Sequence, residues 1–332
     1  MSHTRDTDYL SISTRIHAME NRMLTRERMD RMIEAREDGE TLKILSECGY
    51  GGSDGLQMSG VEGALAEAQA ATFSEIRGAV PDSRLVDVFQ LKYDYHNAKT
   101  LVKAEAMGVD PQRLMMAGGR YDPKMLAEGY KKGELRGLSD PFQAALLQAR
   151  ETLAASHDPQ LADLALDRAC YAEMAQLAKD SGSAFLQGYV RLAVDVANLR
   201  TAVRVARMEK GGDFLGQVLL PGGTVSESQL ARTRGEEVDS LFHAGPLEEA
   251  AELGAKAARP GSGPLTAFER ECDSALTRFL SSARRVPFGE ETVIGYLYAK
   301  EAELTAIRTI LAGRRTGLDG SVIRQRLRES YV

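Results

Sequence analysis

One short pattern recurs three times in this chain and limits its fold more than any other feature. The copies are Asp94-Tyr-His-Asn97-Ala98-Lys99-Thr100, Asp195-Val-Ala-Asn198-Leu199-Arg200-Thr201 and Glu303-Leu-Thr-Ala306-Ile307-Arg308-Thr309. Each begins with an acid, has an amide or small residue three positions on, a base at five and threonine at six. Successive copies lie 101 and then 108 residues apart. A period this long belongs to a triplicated domain rather than to a solenoid of ~20 to 50 residue units.

The likeness extends beyond the heptapeptide. Leu91, Tyr95, Ala98 and Val102 fall in register with Leu192, Val196, Leu199 and Val203, and these with Lys300, Leu304, Ile307 and Leu311. The 4, 3, 4 spacing lays each set along one face of a helix, and Lys300 alone breaks the apolar stripe. Acid and base sit five residues apart, roughly 140° around the helix, so within one copy they form no simple ion pair. Three equivalent copies of Asp94/Lys99, Asp195/Arg200 and Glu303/Arg308 argue against acid–base catalysis, which needs one asymmetric constellation. With Asn97 and Asn198 they read as a structural signature that caps or ties helices together.

A second device marks helix starts. Thr25, Asp122, Ser226 and Asp319 each precede an apolar residue by four positions, at Met29, Leu126, Leu230 and Ile323. Short oxygen-bearing side chains at those places accept the orphan amides of a first helical turn. Four starts for three long stripes imply that the chain begins and ends within the same part of the repeat. Cys170 and Cys272 follow Asp167-Arg168 and Glu269-Arg270 at equivalent places, 102 residues apart. With Cys48 they form an odd set without paired spacing, which suits buried packing better than metal or redox chemistry.

Three units divide the 332 residues as 1–121, 122–225 and 226–332, and 43% apolar residues are enough for a core in each. The periodicity predicts a first helix over 9–24 and long stripe helices over about 84–107 and 182–210, with a third after Pro287-Phe288-Gly289. Pro81-Asp82-Ser83 reads as a turn and cap, Gly211-Gly212 as a helix stop and Leu220-Pro221-Gly222-Gly223 as a linker. Period-two runs of β-branched residues are missing, so the expected class is all-α.

A net charge of −6 and a pI near 5.6 argue against nucleic acid or anionic lipid as partner. No apolar run approaches the ~18 to 20 residues that cross a bilayer, and Met1 to Tyr9 lacks a signal-peptide core, so a cytoplasmic location is expected. Gly51-Gly52-Ser53-Asp54-Gly55 fits a G-x-S-x-G elbow in letters only, since no strand leads into it. No glycine is followed directly by lysine, which excludes a Walker A loop. His3, His17, His96, His157 and His243 form no ligand motif, so neither metal nor cofactor is expected.

Tyr9 to Thr25, Asp94-x-x-Asn97-x-Lys99-Thr100 and Asp195-x-x-Asn198-Leu199-Arg200 form a wider set of motifs with three more specific stretches. These are Ile294-Gly-Tyr-Leu-Tyr-Ala-Lys300-Glu301-Ala-Glu303-Leu-x-x-Ile307-Arg308, then Gly317-Leu318, and the ending from Ile323 to Val332. On these motifs the chain resembles the C subunits of V-type and A-type rotary ATPases, the counterparts of the eukaryotic V-ATPase d subunit. The resemblance implies three similar helical domains in a funnel with pseudo-threefold symmetry, without catalytic residues. It further implies a rotor component, one copy per complex, that joins a central shaft of the D and F subunits to the membrane proteolipid ring on its cytoplasmic side. A helical adaptor with another partner is the alternative.

Overall fold

The computed structural model describes residues 5–51 and 55–331; His3 and Ser53 lie outside them. Among the described residues the chain forms sixteen α-helices and no strand. The first four are α1 (Leu10–Glu20), α2 (Arg26–Glu34), α3 (Asp38–Glu47) and α4 (Val61–Arg77). Next come α5 (Arg84–Met107), α6 (Pro123–Lys132), α7 (Asp140–Ser156), α8 (Pro159–Ser181) and α9 (Ala184–Arg207). The shorter α10 (Gly212–Val218), α11 (Glu227–Arg232) and α12 (Asp239–Phe242) precede α13 (Glu248–Ala258) and α14 (Thr266–Ser281). The chain closes with α15 (Glu290–Arg315) and α16 (Gly320–Arg326).

The three striped helices are α5, α9 and α15, and they follow one plan. Their stripes are buried as the 4, 3, 4 spacing requires: Leu91, Ala98, Leu199, Val203 and Ile307 expose nothing, and among the twelve stripe positions Lys300 and Leu311 reach the surface in part. Each ends in the same left-handed cap, at Gly108, Glu209 and Gly317, followed by a main-chain bond back across the last turn. Those bonds run from Val109 N to Ala104 O, Lys210 N to Val205 O and Leu318 N to Gly313 O, at 3.0, 3.2 and 3.0 Å.

The first parts of the long helices meet in one cluster that contains Phe89, Val190 and Leu297, together with Tyr9, Ile12 and Ile16 around α1. Phe89 stacks on Tyr189 at 5.4 Å between ring centres, and Tyr189 meets Tyr298 edge-on at 6.2 Å. One aromatic ring from each long helix therefore reaches the same place. Beyond it the helices part company. Val102 of α5 packs with Phe142 and Leu146 of α7 and Leu166 of α8. Val203 of α9 packs with Ala251 of α13 and Cys272 of α14. Ile307 and Ile310 of α15 share a core with Met29, Met32 and Ile33 of α2, Ile44 of α3 and Leu65 of α4. The last long helix is thus completed by the first helices of the chain.

Local expectations differ from the structure at three places. The first helix stops at Glu20, because residues 21–24 turn away to present the Leu24 amide to α15. Residues after Gly211 form α10 instead of a plain stop, since burying Leu215 and Leu219 outweighs the weak helix propensity of glycine. Ser83 occupies the start of α5 without capping it, while the Asp82 carboxylate accepts from Arg84 N at 3.0 Å. Thr25, Asp122, Ser226 and Asp319 all cap helices through their side-chain oxygens.

Candidate functional site

The signature residues occupy three places, one on each long helix, and in each copy acid and base turn to different neighbours. After α5 the chain returns along that helix through residues 108–121. Asp94, fully buried, accepts from Arg120 N at 3.0 Å, Tyr121 N at 3.4 Å and Arg120 Nε at 2.7 Å. Arg120 Nη1 also donates to Glu173 of α8 at 2.8 Å, and that second buried carboxylate accepts from Tyr95 and Ser139 as well. Two buried acids thus share one guanidinium. Burial raises the Asp94 carboxyl to about 6, against the opposing pull of Arg120.

Asp195 has the same task with other means. Thr224 gives it the main-chain amide at 2.8 Å and the hydroxyl at 2.5 Å, and Val225 N approaches at 3.4 Å. On α15, Glu303 accepts from Leu24 N at 2.6 Å, Lys300 Nζ at 2.8 Å and the Tyr50 hydroxyl. Lys300, the apparent fault in the stripe, is therefore the counter-charge of the third acid. In all three copies a buried carboxylate fastens a returning main chain to a long helix, and a capped helix begins one or two residues later.

The amide position makes a second clamp in two copies. Asn97 donates to Met116 O at 2.9 Å and accepts from Met116 N at 2.8 Å. Asn198 treats Leu220 alike, at 2.7 and 2.8 Å. Ala306 has no such groups. The bases tie each long helix to the helix that completes its core: Lys99 to Asp167 of α8 at 2.6 Å, Arg200 to Asp273 of α14 at 2.9 Å, and Arg308 to Glu62 of α4 at 3.1 Å. Arg200 Nε also lies 2.7 Å from Glu269, without the alignment of a hydrogen bond.

These partners show what the heptapeptide alone could not. Gly118-Gly119 and Gly222-Gly223 stand at matching places before Arg120 and Thr224, and Gly118 and Gly222 take positive φ of 103° and 98°. A Cβ on Gly119 or Gly223 would overlap an oxygen of Asp94 or Asp195. The signal in the sequence is a glycine pair four residues before a cap, and at Gly222-Gly223 it reads as a linker. Cys170 and Cys272 are free and buried, each three residues after an acid that meets a base of the signature; Leu65 stands at the same offset from Glu62. Burial pushes the Cys48 and Cys272 thiols up to about 11 and about 12, so at neutral pH they are inert apolar packing groups.

Every acid of the signature is thus engaged by main-chain or side-chain donors. Among the described residues no three His, Cys, Asp or Glu side chains are placed to hold a metal ion, and no helix is long and apolar enough to cross a membrane.

A family model described as ATP synthase (C/AC39) subunit matches residues 12–326. The C subunit of the V-type sodium ATPase of Enterococcus hirae is 22% identical over 98% of this chain and 99% of its own length. The C subunit of the A-type ATP synthase of Haloferax volcanii is 27% identical over 82% of this chain and 83% of its own. The C subunit of the V-type ATP synthase of Thermus thermophilus is 25% identical, with 82% and 84% covered.

Proposed function

Because this chain belongs to the ATP synthase C/AC39 subunit family, we propose that it is the non-catalytic coupling component of a V/A-type rotary ATPase. The observation that carries the reading is the match from residue 12 to residue 326, which takes in all three long helices and both chain ends that complete the third bundle. In this role the chain joins a central shaft of the D and F subunits to the proteolipid ring and transmits torque for proton or sodium transport. It is present once per complex, on the cytoplasmic face of the membrane.

The body is read as three similar helical units, repeating in sequence over 1–121, 122–225 and 226–332, arranged as a funnel about a pseudo-threefold axis. The meeting of Phe89, Tyr189 and Tyr298 supports such an axis. A thin shaft and a wide ring differ in diameter, so their connector must spread load around a circle. Torque without slip favours many moderate contacts over one dominant anchor. Fastening each return segment with buried charge-assisted bonds stiffens the body between the two.

Affinity purification of the tagged full-length protein from its own cells tests this. The D and F subunits and the proteolipid should be recovered with it. Recovery of none of them, or of a different partner at stoichiometric yield, would refute the assignment.

A further inference from the structure

We infer that residues 327–331 form a releasable latch that holds the third bundle shut. That bundle alone is assembled from both ends of the sequence: α15 and α16 meet α2, α3 and α4 with no covalent connection between the two parts nearby. Ala306 replaces the amide that clamps the return segment in the other two bundles, so the third lacks that fastening.

The strap supplies another. It has no regular structure, and it lies over the joint where Leu24 meets Glu303. Residues 326–331 line a narrow, partly open cleft with Met23, Leu24, Ala302, Glu303 and Ala306, which leaves only about 20 Å³ of room for water. Two side chains root the strap, Leu327 in the third core and Tyr331 in the central cluster. The Tyr331 ring fits only because residue 295 is glycine: a Cβ there would sit 2.5 Å from its hydroxyl.

Along the strap two ion pairs add to these roots, and Arg284 Nη1 donates to the Tyr331 carbonyl at 3.0 Å. Arg328 Nε meets Asp273 at 2.6 Å and Glu329 meets Arg278 at 3.0 Å, both on α14. Asp273 is also the acid that Arg200 grips at 2.9 Å, so strap and second bundle share one carboxylate. The strap residues of these pairs are 39% and 49% exposed, open to competing ions, unlike the buried carboxylate beneath. Partly exposed ion pairs are weak and screened by salt. The geometry is that of a catch that lets go before the joint it covers.

Hydrogen exchange of the full-length chain, read by mass spectrometry, tests the latch. Peptides spanning 19–34 report the Leu24 joint, and peptides around Arg120 and Thr224 report the two equivalent joints as internal controls. Arg328→Glu with Glu329→Lys keeps Leu327 and Tyr331 in place and sets like charges against Asp273 and Arg278. It should speed exchange at the Leu24 joint about tenfold and leave the controls unchanged. In the unaltered chain 1 M salt should act in the same direction and to a smaller extent. Unchanged exchange at Leu24 in the variant would make the strap a passive tail. An equal rise at all three joints would mean general destabilisation, and would equally overturn the latch.

Discussion

Replacing Arg120 by methionine isolates the most charged of the three fastenings. The change keeps a long flexible side chain but removes the guanidinium that Asp94 and Glu173 share, leaving two carboxylates that expose 0% and 5% of their surface without a cation. Removing one member of a buried ion pair costs about 3 to 5 kcal/mol, because the remaining charge stays buried. The loss depends on pH with a defined sign. The Asp94 carboxyl already sits at about 6, above its ordinary 3.8, so its contribution to stability is complete below about 4 and is lost as pH rises through 6. The rise from 3.8 to about 6 corresponds to about 3 kcal/mol in the unaltered chain. Without Arg120 that pKa moves higher still. At pH 5 Asp94 is then neutral and the variant gives up chiefly its Glu173 bond, whereas at pH 8 ionisation is opposed by burial alone. Urea unfolding followed by circular dichroism should show a loss near the full range at pH 8, and one smaller by about 1 to 2 kcal/mol at pH 5. A loss below 1 kcal/mol at pH 8, or a larger loss at pH 5, would refute the shared-guanidinium account.

Other substitutions sort the remaining contacts by the same assay. Leu199→Ala, at a fully buried stripe position, should cost about 2 to 5 kcal/mol, and a surface-like loss would mean that the stripe is not core. Gly223→Ala places a Cβ against Asp195 and must displace Thr224; a cost of about 2 to 4 kcal/mol is expected, and a neutral result would contradict that close approach. Glu209→Gly should stabilise by about 0.5 to 1 kcal/mol, since Glu209 holds a left-handed φ of 54° where the other two long helices have glycine. Arg308→Ala should stay within about 1 kcal/mol, because its partner Glu62 is 69% exposed.

The long helices are legible because their apolar spacing is local: Leu91 to Val102 fixes a buried face without knowledge of what covers it. Caps are legible for the same reason, since Asp122 and Ser226 bond to amides two or three residues away. The partners of the signature acids are not. Arg120 and Thr224 lie 26 and 29 residues from Asp94 and Asp195, and Leu24 lies 279 from Glu303, so no periodicity within a helix can reveal them. The pair Gly118-Gly119 repeats at Gly222-Gly223, yet its reason for being glycine is the approach to a carboxylate, which only the folded chain displays. Lys300 reads as an error in the stripe for a related reason, as its role is set by Glu303 and by Tyr50, 250 residues away.

The arrangement of the third bundle bears on how the chain can fold. Met29, Met32 and Ile33 of α2 are made early, but the residues that cover them, Ile307 and Ile310 of α15, come near the end. The first two bundles fasten their return segments across sequence separations of only 26 and 29 residues, a modest loop-closure cost. The third needs a contact spanning 279 residues, which is entropically later and slower. Until α15 arrives, the core that α2 shares with α3 and α4 is incomplete, so order of assembly follows from connectivity: first two bundles, then closure by the ends. That order also explains the chemistry at the joint. A contact formed last between distant segments gains most from strong, directional groups, and it has them in a glutamate that reaches one carbon farther than aspartate to a main-chain amide, a lysine as counter-charge and a tyrosine hydroxyl.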